Sequence, residues 1–76
     1  MRKEIILITG ANGEIGHGLI SFLGETKKYS IVAMDVQPLD QSLIPYCERF
    51  IQGDILDSML LGRLVAEFEI RTIYHL

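Results

Sequence analysis

The sequence predicts an α/β fold: the N-terminal half of a doubly wound parallel sheet, with four parallel strands in the order 3-2-1-4. Three observations indicate it. Short apolar runs alternate with segments of helical period, a glycine-rich turn follows the first run, and an acidic residue ends the second. Strands that alternate with helices form parallel sheets with right-handed crossovers. The 76 residues allow one domain at most, and a chain of this size buries a small core.

The first strand and the first helix are predicted from the start of the chain. Residues 5–9 are a continuous apolar run that stops at Gly10, which is typical of a strand buried on both faces. A helix should follow and end near Gly24, with Lys27 and Lys28 in the turn beyond it. Its apolar stripe is predicted to consist of Ile15, Leu19, Ile20, Phe22 and Leu23.

The second and third strands are short. Residues 31–34 form another buried run, which ends at Asp35. Residues 37–47 contain both prolines and no sustained period, so they are predicted to be a loop. Residues 50–52 form the third strand, just before Gly53 and Asp54.

A second helix and a fourth strand complete the predicted order. The helix should begin near Ser58, with Asp57 or Ser58 as its cap. Its buried stripe is predicted to consist of Leu60, Leu61, Leu64, Val65 and Phe68. Glu67, Glu69 and Arg71 are interpreted as a solvated helix end and turn, and residues 72–76 as the strand. This strand reaches the last residue with nothing to cover it, so we expect residues 1–76 to be part of a longer domain.

Composition and charge exclude several classes of protein. The chain is 49% hydrophobic and 22% charged, which is unlike an intrinsically disordered sequence. A net charge of −3 without a basic block argues against nucleic-acid binding. Cys47 is the single cysteine, which excludes an internal disulfide and a multi-cysteine metal site. No apolar run approaches the roughly 18 residues of a membrane span. We therefore expect a cytoplasmic protein without a membrane partner.

The glycine-rich turn predicts a phosphate-binding loop. Gly10 would permit a tight turn, Gly13 would let the backbone approach a pyrophosphate, and Gly16 would let the helix pack closely on the strand. Backbone N–H groups at the helix start would point at the phosphates. Further contacts, mainly through the backbone, are expected from Asn12, Glu14 and Ile15. The carboxylate of Glu14 should face solvent. Taken alone, such a turn can also contain glycine for steric reasons.

Two acidic residues lie at positions suited to the rest of a dinucleotide. Asp35 follows Gly16 by nineteen residues, close to the spacing of a ribose-binding acid, although it could also be a simple strand-end turn residue. No Arg or Lys lies between Asp35 and Cys47 to neutralise a 2′-phosphate, so NAD is favoured over NADP. Asp54 could accept a hydrogen bond from the adenine amino group with Ile55 against the ring, or could form an ordinary turn.

These residues resemble the extended short-chain dehydrogenase/reductases, which include NAD-dependent nucleotide-sugar epimerases and dehydratases. The matching segments are residues 6–16, Asp35, residues 53–57 and residues 73–76. The resemblance implies a Rossmann domain in which the glycine loop binds pyrophosphate, Asp35 binds ribose, and Asp54 and Ile55 bind adenine. It also implies that the backbone near Leu76 approaches the middle of the cofactor. Residues 65–76 are similar to the epimerase-like L-threonine dehydrogenases too, so the branch stays open.

The residues that perform the family's chemistry are not found in this sequence. The resemblance implies a Tyr-x-x-x-Lys pair with a Ser or Thr, but no lysine lies four residues after Tyr29, Tyr46 or Tyr74. We therefore assign no catalytic residue and no metal ligand, and expect this chain to be inactive by itself. The parent protein is expected to be a homodimeric NAD-dependent oxidoreductase acting on a nucleotide sugar or another small molecule. Two alternatives are a non-catalytic NAD-binding module and an interaction module that pairs through its open sheet edge.

Overall fold

Four parallel strands form one sheet with a helix on each face, in a computed structural model that describes residues 2–76. The strand order is β3-β2-β1-β4, which confirms the predicted order. In chain order the elements are β1 (Lys3–Thr9), α1 (Glu14–Thr26), β2 (Ile31–Asp35), a 3-10 turn (Ile44–Tyr46), β3 (Arg49–Gln52), α2 (Ser58–Glu67) and β4 (Phe68–His75). Within residues 2–76, neither α1 nor α2 has the length and apolar composition that a membrane-spanning helix needs.

The two central strands carry a core on both faces of the sheet. Successive side chains of a strand point to opposite faces, so a continuous apolar run supplies both. Ile6 and Ile8 of β1 pack on the side of α1, whereas Ile5 and Leu7 pack on the side of α2. The predicted buried runs of β1 and β2 are therefore confirmed.

The apolar stripe of α1 is narrower than predicted. Ile20 and Leu23 are buried, but Ile15 is 74% exposed and Phe22 is 69% exposed. Gly16 and Ile20 are four residues apart and Leu23 follows three later, so these residues share the face that meets the sheet. Ile15 and Phe22, seven apart, share a flank that the sheet does not reach. Placing them in the buried stripe was wrong.

The prediction that α1 ends at Gly24 was also wrong. The helix continues through Thr26, and Lys27 takes the left-handed conformation (φ 56°) at its C-terminus. The Lys27 N–H donates to the Gly24 carbonyl at 3.2 Å. Gly24 has a packing role instead, because a Cβ there would lie 2.5 Å from Cδ1 of Tyr46.

The segment predicted as a loop covers part of the sheet. It includes the 3-10 turn at Ile44–Tyr46, and its Leu39 and Leu43 are buried in the same cluster as the inner face of α1. Irregular backbone therefore occupies the position of a crossover helix between β2 and β3.

The junction between α2 and β4 differs from the prediction. Asp57 was one of the two predicted caps of α2. Its carboxylate accepts hydrogen bonds from the backbone N–H groups of Met59 and Leu60, which confirms Asp57 as the N-cap. Leu64 of the predicted stripe is buried, but Val65 is 53% exposed. Phe68 is buried as the first residue of β4, not as part of the helix.

Strand β4 begins at Phe68, four residues earlier than predicted, so the interpretation of Glu69 and Arg71 as a turn was wrong. The register between β1 and β4 explains why the sequence pattern of residues 68–71 did not indicate a strand. Ile5 pairs with Ile70, but Ile6 pairs with Thr72, which leaves Arg71 as an extra residue in a bulge. The bulge interrupts the alternation of side chains on which a sequence-based strand prediction depends.

Candidate functional site

Two adjoining hollows lie where the parallel strands end. The first has a volume of about 200 Å³, and both hollows share Gly10, Asp35 and Leu76 in their linings. The first is also lined by Thr9, Met34, Val36, Gly53, Asp54, Ile55 and His75. The second is also lined by Gly13, Glu14, Ile15 and Gly16. Nine of the ten residues singled out in the sequence thus border one cleft, and the tenth, Asn12, is hydrogen-bonded to Asp35.

The glycine loop between β1 and α1 has different constraints at each glycine. Gly10 has φ 69°, and a Cβ there would lie 2.5 Å from the carbonyl oxygen of Leu76. A Cβ on Gly16 would overlap the backbone of Ala11, so the close approach is to the loop itself and not, as predicted, to a strand. A Cβ on Gly13 would meet only the Gly10 carbonyl oxygen, at 3.6 Å. Protein packing therefore leaves the space at Gly13 open to a ligand.

Helix α1 presents its N-terminus to this cleft. Its N-cap residue is Gly13, which provides no side-chain cap, and the first intrahelical bond runs from the His17 N–H to the Gly13 carbonyl at 2.9 Å. Helix N-termini carry unsatisfied N–H groups and a partial positive charge, which favour an anion. Glu14, in the first turn, is exposed as predicted. The charge of Glu14 opposes an anion, so attraction at this position depends on the backbone.

Asp35 ends β2 and connects three parts of the site. Its Oδ2 accepts a hydrogen bond from the backbone N–H of Asn12 at 2.8 Å, and its Oδ1 accepts one from the N–H of Gln37 at 2.9 Å. Its carbonyl accepts a bond from the Gly53 N–H at 2.9 Å. A carboxylate oxygen has more than one lone pair, so both oxygens keep acceptor capacity for a ligand.

Asp54 and Ile55 form the far wall of the first hollow. Oδ1 of Asp54 accepts a hydrogen bond from the Leu56 N–H at 2.9 Å, which is the turn geometry considered for this residue from the sequence. Ile55 is partly buried and packs against the cluster under α2. The turn thus places an exposed carboxylate beside a half-buried apolar side chain at the rim of the cleft.

Sequence reasoning missed the contact between Thr9 and His75. The two residues are paired in the register of β1 and β4, and the Thr9 hydroxyl lies 2.6 Å from Nδ1 of His75. Thr9 is 2% exposed, and both residues line the first hollow. A register count from the sequence would have misplaced this pair by one residue, because Arg71 occupies a bulge.

The fold and site define a class of protein: the Rossmann-type α/β nucleotide-binding domains, here represented by four strands and two helices. In that class a glycine turn leads into a helix N-terminus, and an acid at the end of the second strand faces the same cleft. The sequence model of the NAD dependent epimerase/dehydratase family matches residues 6–76. The chain belongs to that family. Membership implies an NAD-binding function of the oxidoreductase type, and the family is commonly NAD(P)-dependent.

The residues of the cleft fit such a cofactor. The open position at Gly13 allows close approach of a pyrophosphate, and the uncapped helix start supplies N–H donors. The carboxylate of Asp35 has the acceptor capacity that a ribose diol would need. No Lys or Arg of residues 2–76 lines either hollow, so a 2′-phosphate beside Asp35 would not be neutralised. Within the same range, no three His, Cys, Asp or Glu side chains are arranged to hold a metal ion.

Proposed function

We propose that this chain is the NAD-binding portion of an epimerase/dehydratase-type oxidoreductase. The observation that carries the proposal is the meeting of three features at one cleft: the open backbone at Gly13, the uncapped start of α1, and the carboxylate of Asp35. The first two favour phosphate, and the third favours ribose hydroxyls.

Each residue has a proposed part in binding. The loop containing Gly10, Asn12, Gly13, Glu14, Ile15 and Gly16 contacts the pyrophosphate, mainly through its backbone. Asp35 accepts hydrogen bonds from the adenosine ribose, and Asp54 accepts one from the adenine amino group while Ile55 lies against the ring. The backbone at Leu76 contacts the middle of the cofactor. These roles are supported by the positions of the residues around the cleft, except for Asn12, which lines neither hollow and donates its N–H to Asp35.

The proposed cofactor preference is NAD over NADP. The support is electrostatic: Asp35 lies in both hollows, and their linings contain Glu14 and Asp54 but no lysine or arginine. A 2′-phosphate would add negative charge beside carboxylates in a partly enclosed site, where Coulomb repulsion is stronger than in bulk water.

The chemistry supplied by bound NAD is the reversible removal of hydride from a substrate carbinol. The proposed contribution of these residues is to bind and orient the cofactor. The proposed substrate is a nucleotide sugar, with L-threonine as the alternative. We propose that hydride transfer needs residues beyond these 76, because no Tyr-x-x-x-Lys pair is among them. The proposed complete enzyme is a cytoplasmic homodimer.

The test is a titration of the ¹⁵N-labelled chain with NAD, NADP and ADP-ribose, followed by NMR and calorimetry. We expect saturable shifts at the amides of residues 10–16, Asp35 and Ile55, with NAD bound more tightly than NADP. A folded chain whose amides at these positions do not respond to millimolar NAD would overturn the proposal.

A second candidate function, an interaction module, is favoured by the exposed edge of the sheet. Strand β4 pairs with β1 on one side only, and its Ile73 is 57% exposed. Edge strands with exposed apolar side chains are prone to pair with another chain. Sedimentation at several protein concentrations, combined with the NAD titration, distinguishes the two candidates, since an interaction module would associate but would not bind NAD.

A further inference from the structure

The hydrogen bond between Asp35 and Asn12 joins the ribose side of the proposed site to its phosphate side. The donor is a backbone N–H inside the glycine loop, and the acceptor is a side-chain oxygen at the end of β2, 2.8 Å away. The residues are 23 positions apart in sequence, so this is a tertiary contact.

Few other bonds determine the shape of the loop. Before α1 begins, the Ala11 N–H donates to the Met34 carbonyl at 3.2 Å, and the Gly13 N–H donates to the Gly10 carbonyl at 3.3 Å. Both are longer than the bond to Asp35, which in addition has a charged acceptor. Hydrogen bonds to charged groups are stronger than those between neutral groups. Of these three bonds, the one to Asp35 is the shortest and has the charged acceptor, so we expect it to contribute most to holding the loop in place.

We propose that Asp35 positions the glycine loop for phosphate binding, in addition to its contact with ribose. The proposal rests on the proposed nucleotide site. Its consequence is that phosphate affinity depends on Asp35 even when the ligand has no ribose hydroxyl for Asp35 to contact.

The direction of the change in phosphate affinity distinguishes this proposal from a simple effect of charge. Removal of a carboxylate next to an anion site should strengthen the binding of an anion, because a like charge is lost. Loss of the bond to Asn12 should weaken the binding, because the loop N–H groups would no longer be held in place. The two explanations therefore predict opposite changes in one dissociation constant.

The experiment compares ADP with 2′,3′-dideoxyadenosine 5′-diphosphate, titrated into the wild-type chain and into Asp35→Ala. We expect Asp35→Ala to weaken the binding of the dideoxy ligand by about tenfold or more, the order expected for loss of a hydrogen bond to a charged group. The binding of ADP should weaken further, because ADP also loses the contact between its ribose and Asp35. Unchanged or tighter binding of the dideoxy ligand would overturn the proposal.

Two control variants separate other causes. Glu25→Ala removes one negative charge from the exposed far end of α1, outside the cleft, and should leave the affinity for both ligands within about twofold. Asp35→Asn keeps one carbonyl acceptor but cannot accept from both Asn12 and Gln37. It should therefore weaken the binding of the dideoxy ligand by less than Asp35→Ala does. If Asp35→Ala does not fold, the comparison is made with Asp35→Asn.

A measurement without ligand makes failure of this proposal distinguishable from failure of the nucleotide site. In the free chain, the Asn12 amide should shift upfield and exchange faster with solvent in Asp35→Ala than in the wild type. An unchanged Asn12 amide would overturn the positioning role, whether or not the wild type binds ADP. A changed amide in a chain that binds no ADP would support the tie between Asp35 and the loop while refuting the nucleotide site.

Discussion

The backbone of Gly10 lies against the carbonyl of Leu76, so closely that a Cβ at position 10 would stand 2.5 Å from the oxygen. The contact joins the first residue of the glycine loop to the residue that follows β4. It is accompanied by a hydrogen bond from the Leu76 N–H to the Thr9 carbonyl at 3.0 Å. The start of the loop thus lies against the residue that follows β4, while Ala11 and Asn12 are hydrogen-bonded to β2.

Substitution of Gly10 should therefore destabilise the fold. Gly10→Ala adds a Cβ at φ 69° and forces it against the Leu76 carbonyl. We expect the free energy of unfolding to fall by about 2 kcal/mol or more. Urea denaturation followed by circular dichroism measures the change. The matched control is Gly62→Ala in α2, where a Cβ meets nothing within 4 Å; it should stabilise by about 0.5–1 kcal/mol. Equal effects of the two variants would contradict the close approach.

Gly13→Val should remove NAD binding without removing the fold. A Cβ at position 13 makes one ordinary contact, with Gly10, so the added side chain extends into the cleft where the pyrophosphate is proposed to lie. We expect no saturation with NAD in calorimetry, while circular dichroism remains that of the wild type. Gly18→Val, in an open position of α1, is the control and should bind NAD normally. NAD affinity retained by a folded Gly13→Val would refute the phosphate-loop assignment.

Asp35→Ala should reduce the discrimination between the two dinucleotides. The variant loses acceptors for the ribose diol and also loses the charge that repels a 2′-phosphate. We expect the ratio of the NADP to the NAD dissociation constant to fall by about tenfold. Competition titrations of both cofactors on one sample provide the ratio. If the ratio stays at the wild-type value, ribose recognition must belong to another residue.

The ion pair between Arg49 and Glu67 should make stability depend on pH. Hydrogen bonding to Arg49 lowers the pKa of Glu67, so the pair stabilises the fold above the ordinary glutamate pKa of about 4.3. The contribution is lost as the pH falls through the lowered pKa of folded Glu67. We expect Arg49→Gln to be less stable than the wild type at pH 7, and the difference to shrink toward pH ~3.

Two features of Arg49 bear on that measurement. Both side chains of the pair are nearly half exposed, so added salt should also reduce the difference. Arg49 lies 4.9 Å from the ring centroid of Phe68, a contact that does not titrate and should leave a residual difference at low pH. A difference that grows on acidification would contradict the assignment.

Local patterns in the sequence predicted the elements and their order because those patterns reflect local physics. Continuous apolar runs indicate strands buried on both faces, and β1 and β2 have this property. The glycines, Asp35 and Asp54 follow strands, and parallel strands bring their carboxyl ends to one edge of the sheet. Their arrangement around one cleft follows from topology, so it could be anticipated.

Errors arose where a non-local contact outweighed the local pattern. Arg71 carries a polar side chain and sits in a bulge, so the start of β4 was not recognised as a strand. Gly24 has the residue type of a helix stop, but its small size serves the contact with Tyr46. Ile15 has a helical spacing to Leu19, but the sheet does not extend beneath it.

The sequence by itself determined the fold class, the strand order, the family and nine of the residues that border the cleft. It did so because turn chemistry, periodicity and right-handed crossovers are local or topological constraints. The tertiary structure alone decided the pairing of Thr9 with His75, the hydrogen bond from Asn12 to Asp35 and the exposure of Phe22. These depend on strand register and on the width of the sheet under the helix, which emerge only when distant segments pack together.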